Sequence, residues 1–334
     1  MNKEYGGYLP LELYKGNEHY STNSNYEVRA YNSGRAAIFL AINDSEASRC
    51  WIPNYLCEYV KNYLIDNGVS VVLYNINEKF EPINIDYKEG DIILYVNYFG
   101  LIPEEYLNNI AHKYKRVIFD NTQAFFQKPV FTRSERIYNV YSCRKFFGVN
   151  DGAYLISSTF VKKEPKLKNS CSDTTFSFLV SAINNGTNAA YQKNLENEKR
   201  IASEGTCYMS PVTKAIMSSI DYENSKTLRI KNFSTLHKKL RQMNELSYII
   251  SDDAHDCMVY PLLIQDNDLR DFLIENKIYI PQWWKYILSM GVSNNFERKL
   301  SKYLLPLPID QRYNDIDMEF IANIIIKYLN NNIK

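Results

Sequence analysis

Along the first half of the chain, short apolar runs alternate with stretches of helical spacing. Ser70-Val71-Val72-Leu73-Tyr74 and Asp91-Ile92-Ile93-Leu94-Tyr95-Val96 read as strands, the second almost continuously apolar. A strand covered on both faces has that texture, because neither row of side chains meets water. Val117 to Phe119, Ile137 to Tyr141 and Ala153 to Ser157 predict three more strands. Ser33 to Ile42 predicts an alanine-rich helix opened by a glycine turn. Leu56 to Ile65 and Glu104 to Tyr114 have helical spacing, and the former closes on the stop signal Asn67-Gly68. Strands separated by helices imply βαβ units and a mainly parallel sheet. Ligands of such sheets sit beyond the carboxyl ends of the strands.

The pattern changes near residue 160. Val161-Lys162-Lys163-Glu164-Pro165-Lys166 is charged and broken by proline. Ser177 to Arg200 predicts a helix interrupted at Asn184-Asn185-Gly186, and Val212, Ala215, Ile216 and Ile220 recur at helical spacing. Leu228 to Tyr248 predicts a longer helix, Met258 to Leu263 a strand, Leu269 to Glu275 a helix, and Met318 to Tyr328 an apolar closing helix. This last third predicts a compact α+β domain. No internal repeat or low-complexity tail is present.

Composition narrows the class without choosing within it. The 334 residues suffice for one large domain and a smaller one. Lys+Arg number 39 and Asp+Glu 38, so no net field recruits nucleic acid or an anionic membrane. No apolar run is long enough to span a bilayer, and the polar start Met1 to Gly7 has no signal-like segment. The six cysteines show no CxxC spacing, so reduced thiols and a cytoplasmic location are expected. Tyrosine, at 28 residues, is expected mainly in core and interfaces, where its apolar body and polar tip both find use. The four histidines show no ligand spacing, and a solvated acidic loop around His255 is favoured over a metal site, so no metal is expected. Neither GxGxxG after a strand nor GxxxxGK[ST] occurs.

The candidate chemistry lies in four segments. Asp120-Asn121-Thr122-Gln123 follows one apolar run, and Lys145 comes 25 positions after the aspartate, just past a second run, in Ser142-Cys143-Arg144-Lys145. A carboxylate on a ring nitrogen and a lysine amine for the aldehyde are what pyridoxal 5'-phosphate (PLP) chemistry requires. Asn32-Ser33-Gly34-Arg35-Ala36 turns into a helix, whose free N–H groups attract anions. Asp151-Gly152-Ala153 turns into the last strand. Each has a plainer alternative: a strand-end Asp capping the next turn, a solvated Arg-Lys pair, a Gly-to-helix turn that binds nothing.

In this order the segments resemble the DegT/StrS family of sugar aminotransferases. Ser33-Gly34-Arg35-Ala36-Ala37, Ile52-Pro53-Asn54-Tyr55, Asp120 to Gln123 and Ser142 to Lys145 match its successive motifs. Leu228-Arg229-Ile230-Lys231-Asn232-Phe233, Leu269 to Leu273, Ile278-Tyr279-Ile280-Pro281 and Leu305 to Tyr313 resemble later ones, the third of these a strand, so the likeness runs from about 30 to 330. It implies an α/β protein: a three-layer fold-type-I PLP-transferase large domain over residues 1–230, with a mainly parallel sheet, and a small α+β C-terminal domain over 231–334. It also implies a homodimer binding PLP, an amino-acid donor such as glutamate, and a keto sugar nucleotide as acceptor, in polysaccharide or secondary-metabolite synthesis. By position Lys145 is then the Schiff-base lysine, Asp120 the ring-nitrogen partner and Gln123 the ring-hydroxyl contact. Gly34 and Arg35 give backbone N–H groups, and Ser142 a hydroxyl, to the phosphate.

Several positions depart from the family pattern. Arg35 replaces a threonine, and a guanidinium can stand in as an anion contact. Cys57 occupies the place of the aromatic that stacks on the ring, leaving Tyr55, Tyr98 or Phe99 as candidates. The serine precedes the lysine by three positions rather than five, and Thr206-Cys207-Tyr208-Met209 lacks the family's arginine. Trp283-Trp284 is assigned to the substrate cleft over the core. Two other functions stay open: a PLP-dependent dehydratase or lyase of this fold, and a sugar-nucleotide-binding protein without catalysis.

Overall fold

The computed structural model describes residues 5–132, 136–291 and 293–332. Residues 1–4 of the polar start lie outside that range. Eight strands form one sheet: β1 (Glu27–Tyr31), β2 (Arg49–Pro53), β3 (Val71–Ile76), β4 (Pro82–Ile83), β5 (Asp91–Val96), β6 (Arg116–Asp120), β7 (Arg136–Ser142) and β8 (Ala153–Ser157). Their order is β1-β8-β7-β6-β5-β2-β3-β4. The run from β3 through β2, β5 and β6 to β7 is parallel, while β8, β1 and β4 join antiparallel. The mainly parallel sheet with flanking helices is therefore as expected.

The interior strands follow from their composition. All of β5 and β8, and all of β6 and β7 beyond their first arginines, are buried. Tyrosine serves this core because its hydroxyl finds partners: Tyr74 donates to the Leu94 carbonyl at 2.8 Å, Tyr95 to Phe80 at 3.0 Å, and Tyr138 to Asp44 at 2.8 Å. Helices α1 (Gly34–Ser45), α2 (Glu58–Asp66) and α3 (Glu104–Tyr114) pack on the sheet, α1 against β6, β7 and β8. Helix α4 (Ser177–Glu204) is long and breaks its helical backbone at Gly186, where the polar Asn-Asn-Gly run interrupts the apolar pattern.

Beyond α5 (Pro211–Met217) and α6 (Tyr222–Leu240), the C-terminal part is α+β. Strands β9 (Val259–Leu263) and β10 (Leu304–Pro308) pair antiparallel beside α7 (Leu269–Glu275), α8 (Asn295–Tyr303) and α9 (Asp315–Asn332). Its apolar residues join the same core cluster as the large sheet. Helix α6 runs across residues 230 and 231. Two local expectations change. The helix expected to reach Tyr248 stops at Leu240, and Ile278 to Pro281 forms no strand. The partner of β9 is instead the proline-bearing β10, in which Pro306 stands opposite Pro261. A two-stranded ribbon tolerates this, since each proline can turn its missing donor away from the ladder.

Candidate active site

The strand ends bring Asp120 and Lys145 to one cleft. Asp120 is the last residue of β6, and Ser142 the last of the adjacent parallel β7. A buried amide ladder steadies these ends: Asn97 Nδ2 donates to Asn121 at 2.9 Å, and Asn121 Nδ2 to Asn139 of β7 at 3.2 Å. The cleft has a volume of about 400 Å³, and Gly34, Arg35, Asp120, Gln123, Ser142 and Lys145 all line it. Thr122 links the acid to the amine. Its N–H donates to Asp120 Oδ1 at 3.0 Å, and its hydroxyl accepts from Lys145 Nζ at 2.8 Å. Sequence reasoning gave Thr122 no role; the signal available was its place two residues past a strand-end acid.

Gln123 is also positioned. Its Oε1 accepts the Phe99 N–H at 2.9 Å, and Phe99 turns there through a left-handed φ of 61°. With the oxygen committed, the side chain's NH2 is the donor left over.

The start of α1 lines the cleft through Ser33, Gly34 and Arg35. Ser33 caps the helix by accepting from Ala36 N–H at 3.3 Å, while the N–H groups of Gly34 and Arg35 have no acceptor within the helix. A Cβ on Gly34 would stand 3.2 Å from Thr122 Cγ2, so glycine lets the helix start approach the strand-end loop. The Nε and Nη2 atoms of Arg35 are buried without a hydrogen-bond partner. Burial depresses the basicity of this guanidinium. Arg144 lines the same cleft, ion-paired with Glu198 of α4, and burial together with the neighbouring Arg35 charge lowers its pKa to about 10. Two crowded guanidiniums and a lysine, set against Asp120 and Glu198, leave an excess of positive charge that suits a bound anion. A planar group bearing a basic ring nitrogen and a phosphate fits this donor set: Asp120 at one end, and unpartnered Arg35 with free helix N–H groups at the other.

The lysine segment is braced from behind. Asp151, fully buried, accepts from the Ser210 N–H at 3.0 Å and the Ser210 hydroxyl at 2.8 Å, and also from Thr213. Gly152, at φ +112°, sits where a Cβ would fall 2.9 Å from Thr213 and 3.2 Å from Cys143. Arg229 of α6 donates to the carbonyls of Cys257 at 3.0 Å and Phe146 at 3.1 Å, and to Gln311 at 3.1 Å. Gln311 Nε2 reaches the same Phe146 carbonyl at 2.9 Å. Asn232 ties α6 to the chain around Ile309 and Tyr313.

Tyr55 and Tyr98 do not line the cleft. Both rings are fully buried behind it, and Tyr98 donates to the Tyr55 carbonyl at 2.7 Å. Phe99 is likewise buried, stacked on Trp283 at 6.0 Å. The aromatic residues at the cleft wall are Tyr59 and Trp284, near Cys57. A second cavity, of about 540 Å³, shares Arg144, Lys145 and Glu198 with the first and adds Asn194, Gln311 and Arg312. Glu198 comes from a helix far along the chain, and nothing in its local pattern marked it. Among the described residues no group of three His, Cys, Asp or Glu side chains is placed to hold a metal ion.

No protein-family model and no curated protein matches this sequence. Solved structures do match. A DegT/DnrJ/EryC1/StrS aminotransferase from Brucella abortus superposes with a TM-score of 0.57 at 13% identity, covering 90% of this chain and 86% of that one. DesI, solved in the presence of its TDP-sugar product, gives 0.59 at 11% identity over 90% and 79% of the two chains. NtdA from Bacillus subtilis, with bound cofactor PMP, gives 0.56 at 14% identity over 90% and 73%. The chain thus has the fold of these aminotransferases, the fold-type-I architecture that the sequence motifs implied.

Proposed function

We propose that this protein is a PLP-dependent aminotransferase. It takes an amino group from an amino acid, with glutamate the expected donor, and delivers it to a keto sugar carried on a nucleotide. The observation that carries this is the meeting of Asp120 and Lys145 in one cleft through Thr122, opposite an Arg35 guanidinium with two buried, unpartnered nitrogens. Support comes also from relatives of this fold described with PMP and with a TDP-sugar. We assign residues 1–230 to the cofactor-binding domain and 231–334 to the smaller domain, joined through α6. A cytoplasmic homodimer in polysaccharide biosynthesis completes the assignment. Among the described residues no helix is long and apolar enough to cross a membrane.

Bound in the cleft, PLP supplies an electron sink for the bonds at the substrate's amino carbon. The chain's own groups do the rest. Asp120 would keep a proton on the ring nitrogen, and the Gln123 NH2 would be the donor for the ring hydroxyl. The N–H groups of Gly34 and Arg35, the Ser142 hydroxyl and the Arg35 guanidinium would hold the phosphate. Lys145 Nζ, oriented by Thr122 Oγ1, would hold the cofactor's aldehyde carbon and, once the substrate's amine has displaced it, would carry the proton at the substrate's amino carbon. Arg144, held by Glu198 at the junction of the two cavities, is placed to meet the substrate's anionic part.

The test adds glutamate to the PLP-loaded protein and measures 2-oxoglutarate release together with the change in visible absorption. An aminotransferase releases about one equivalent per site without a sugar acceptor, as a ping-pong half-reaction requires. A PLP-loaded protein that releases none is not a glutamate transaminase, and the dehydratase alternative then takes precedence.

A further inference from the structure

Resting on the PLP assignment above, we infer that Trp284, contributed by the C-terminal part of the chain, forms the aromatic wall of the cofactor ring in place of the residue missing at Cys57. Three observations converge. First, the residues that sequence position offered for this contact, Tyr55 and Tyr98, are buried behind the cleft, whereas Trp284 lines it together with Cys57 and Asp120. Tyr59, the other aromatic at the wall, is 70% exposed on the surface of α2 and lacks comparable support.

Second, Trp284 is held in a conformation that a bulky residue rarely adopts, with φ 51° and ψ 48°. A large side chain in the left-handed region costs free energy and persists only where the surroundings impose it, and such outliers gather at ligand sites. Third, the imposing contacts are present on both sides. The Ser301 hydroxyl donates to the Trp284 carbonyl at 3.0 Å, and Gln282 donates to the Ser301 carbonyl at 3.0 Å. On the other side, Tyr286 donates to the Leu56 carbonyl at 2.7 Å, fixing the segment to the end of β2 beside Cys57. The indole itself packs edge-on against Tyr55, with centroids 4.3 Å apart. Tyr55 thus supports the contact from behind.

An electron-rich indole is a good neighbour for a pyridinium ring, by quadrupole attraction and by burial of its face. A wall built from the C-terminal part also makes cofactor affinity depend on how that part is seated on the sheet. No such dependence arises when the ring contact comes from the β2–α2 loop.

The experiment measures PLP affinity by visible absorption for the parent, Trp284→Phe, Trp284→Leu and Trp283→Phe, with the visible circular dichroism of the bound cofactor recorded for each. Cofactor-free melting curves check folding. The expected result is binding weakened about threefold to tenfold in Trp284→Leu, less in Trp284→Phe, with altered dichroism in both. Trp283→Phe, whose ring stacks on Phe99 and on Trp284 without lining the cleft, weakens binding less than Trp284→Leu does. If the parent binds PLP and both Trp284 variants bind it equally well with unchanged dichroism, the inference is wrong and the cofactor assignment stands. If the parent itself gives no cofactor band, both fall together.

Discussion

Arg229 and Arg35 are both withdrawn from water, but their surroundings differ in kind. Arg229 is 1% exposed and its guanidinium is used up: carbonyls of Cys257, Met258 and Phe146, the Gln311 amide oxygen, and the Phe146 ring at 4.5 Å. Arg35 keeps two buried nitrogens with no partner, and the Tyr63 ring lies 5.7 Å away. Desolvating a cation without hydrogen bonds is costly, so a fold that only needed stability would not keep such a group. The difference separates a charge spent on structure from one proposed for binding. Arg229 locks the segment after Lys145 to the C-terminal part, while Arg35 keeps donors that a bound anion would satisfy.

Replacing Arg229 should therefore cost the most. Arg229→Met removes a donor from the carbonyls of Cys257 and Met258, leaves Phe146 with Gln311 alone, and should lower unfolding free energy by about 3 kcal/mol. Denaturant melts read the effect, and a loss of under about 0.5 kcal/mol would erase the contrast with Arg35. Gly152→Ala probes the same braced side. It forces a Cβ to within 2.9 Å of Thr213 at a left-handed φ, for a loss of about 2 kcal/mol.

Arg35→Met should do the reverse. Folding stability of the cofactor-free protein should hold or rise, while PLP affinity falls by about thirtyfold, the equivalent of one lost charge-assisted contact of about 2 kcal/mol. Calorimetric titration with PLP and melts without it separate the two. An Arg35→Met protein that is less stable but binds PLP normally would place Arg35 with Arg229.

The smallest effect is a pH dependence in the C-terminal part. Burial, with Arg241 and His255 adding to it, holds the His237 pKa below its usual 6.5, against a weaker opposing pull from Asp252. The folded protein then binds fewer protons than the unfolded chain below that value. His237 contributes stability above pH 6.5 that is lost as pH falls through the folded pKa. His237→Gln should flatten that limb of the stability–pH curve, by about 1 kcal/mol or less. An unchanged limb means that other groups set it.

Much of the sheet was legible because burial on both faces leaves a readable mark. Strand β5 and helices α3 and α7 begin and end where their patterns said. The edges were not legible. Glu27–Tyr31 is a five-residue strand with two charged side chains, and Leu304–Pro308 carries prolines that argue against a strand until its partner is known. The same divide runs through the cleft. Asp120 and Lys145 could be found because each follows an apolar run at a strand end. Thr122 and Glu198 could not be assigned, because their places come from contacts between distant segments. The Trp283-Trp284 pair was expected at the cleft, and of the two Trp284 lines it. Arg35 was legible as a departure, but only its unpartnered nitrogens support the binding role proposed for it.

The most direct test of the central claim is a titration of the purified protein with PLP, followed by visible absorption, beside the same titration of Lys145→Ala. The account predicts a visible band that saturates with added PLP in the parent and is absent in Lys145→Ala. No band in the parent, or the same band in Lys145→Ala, would contradict it.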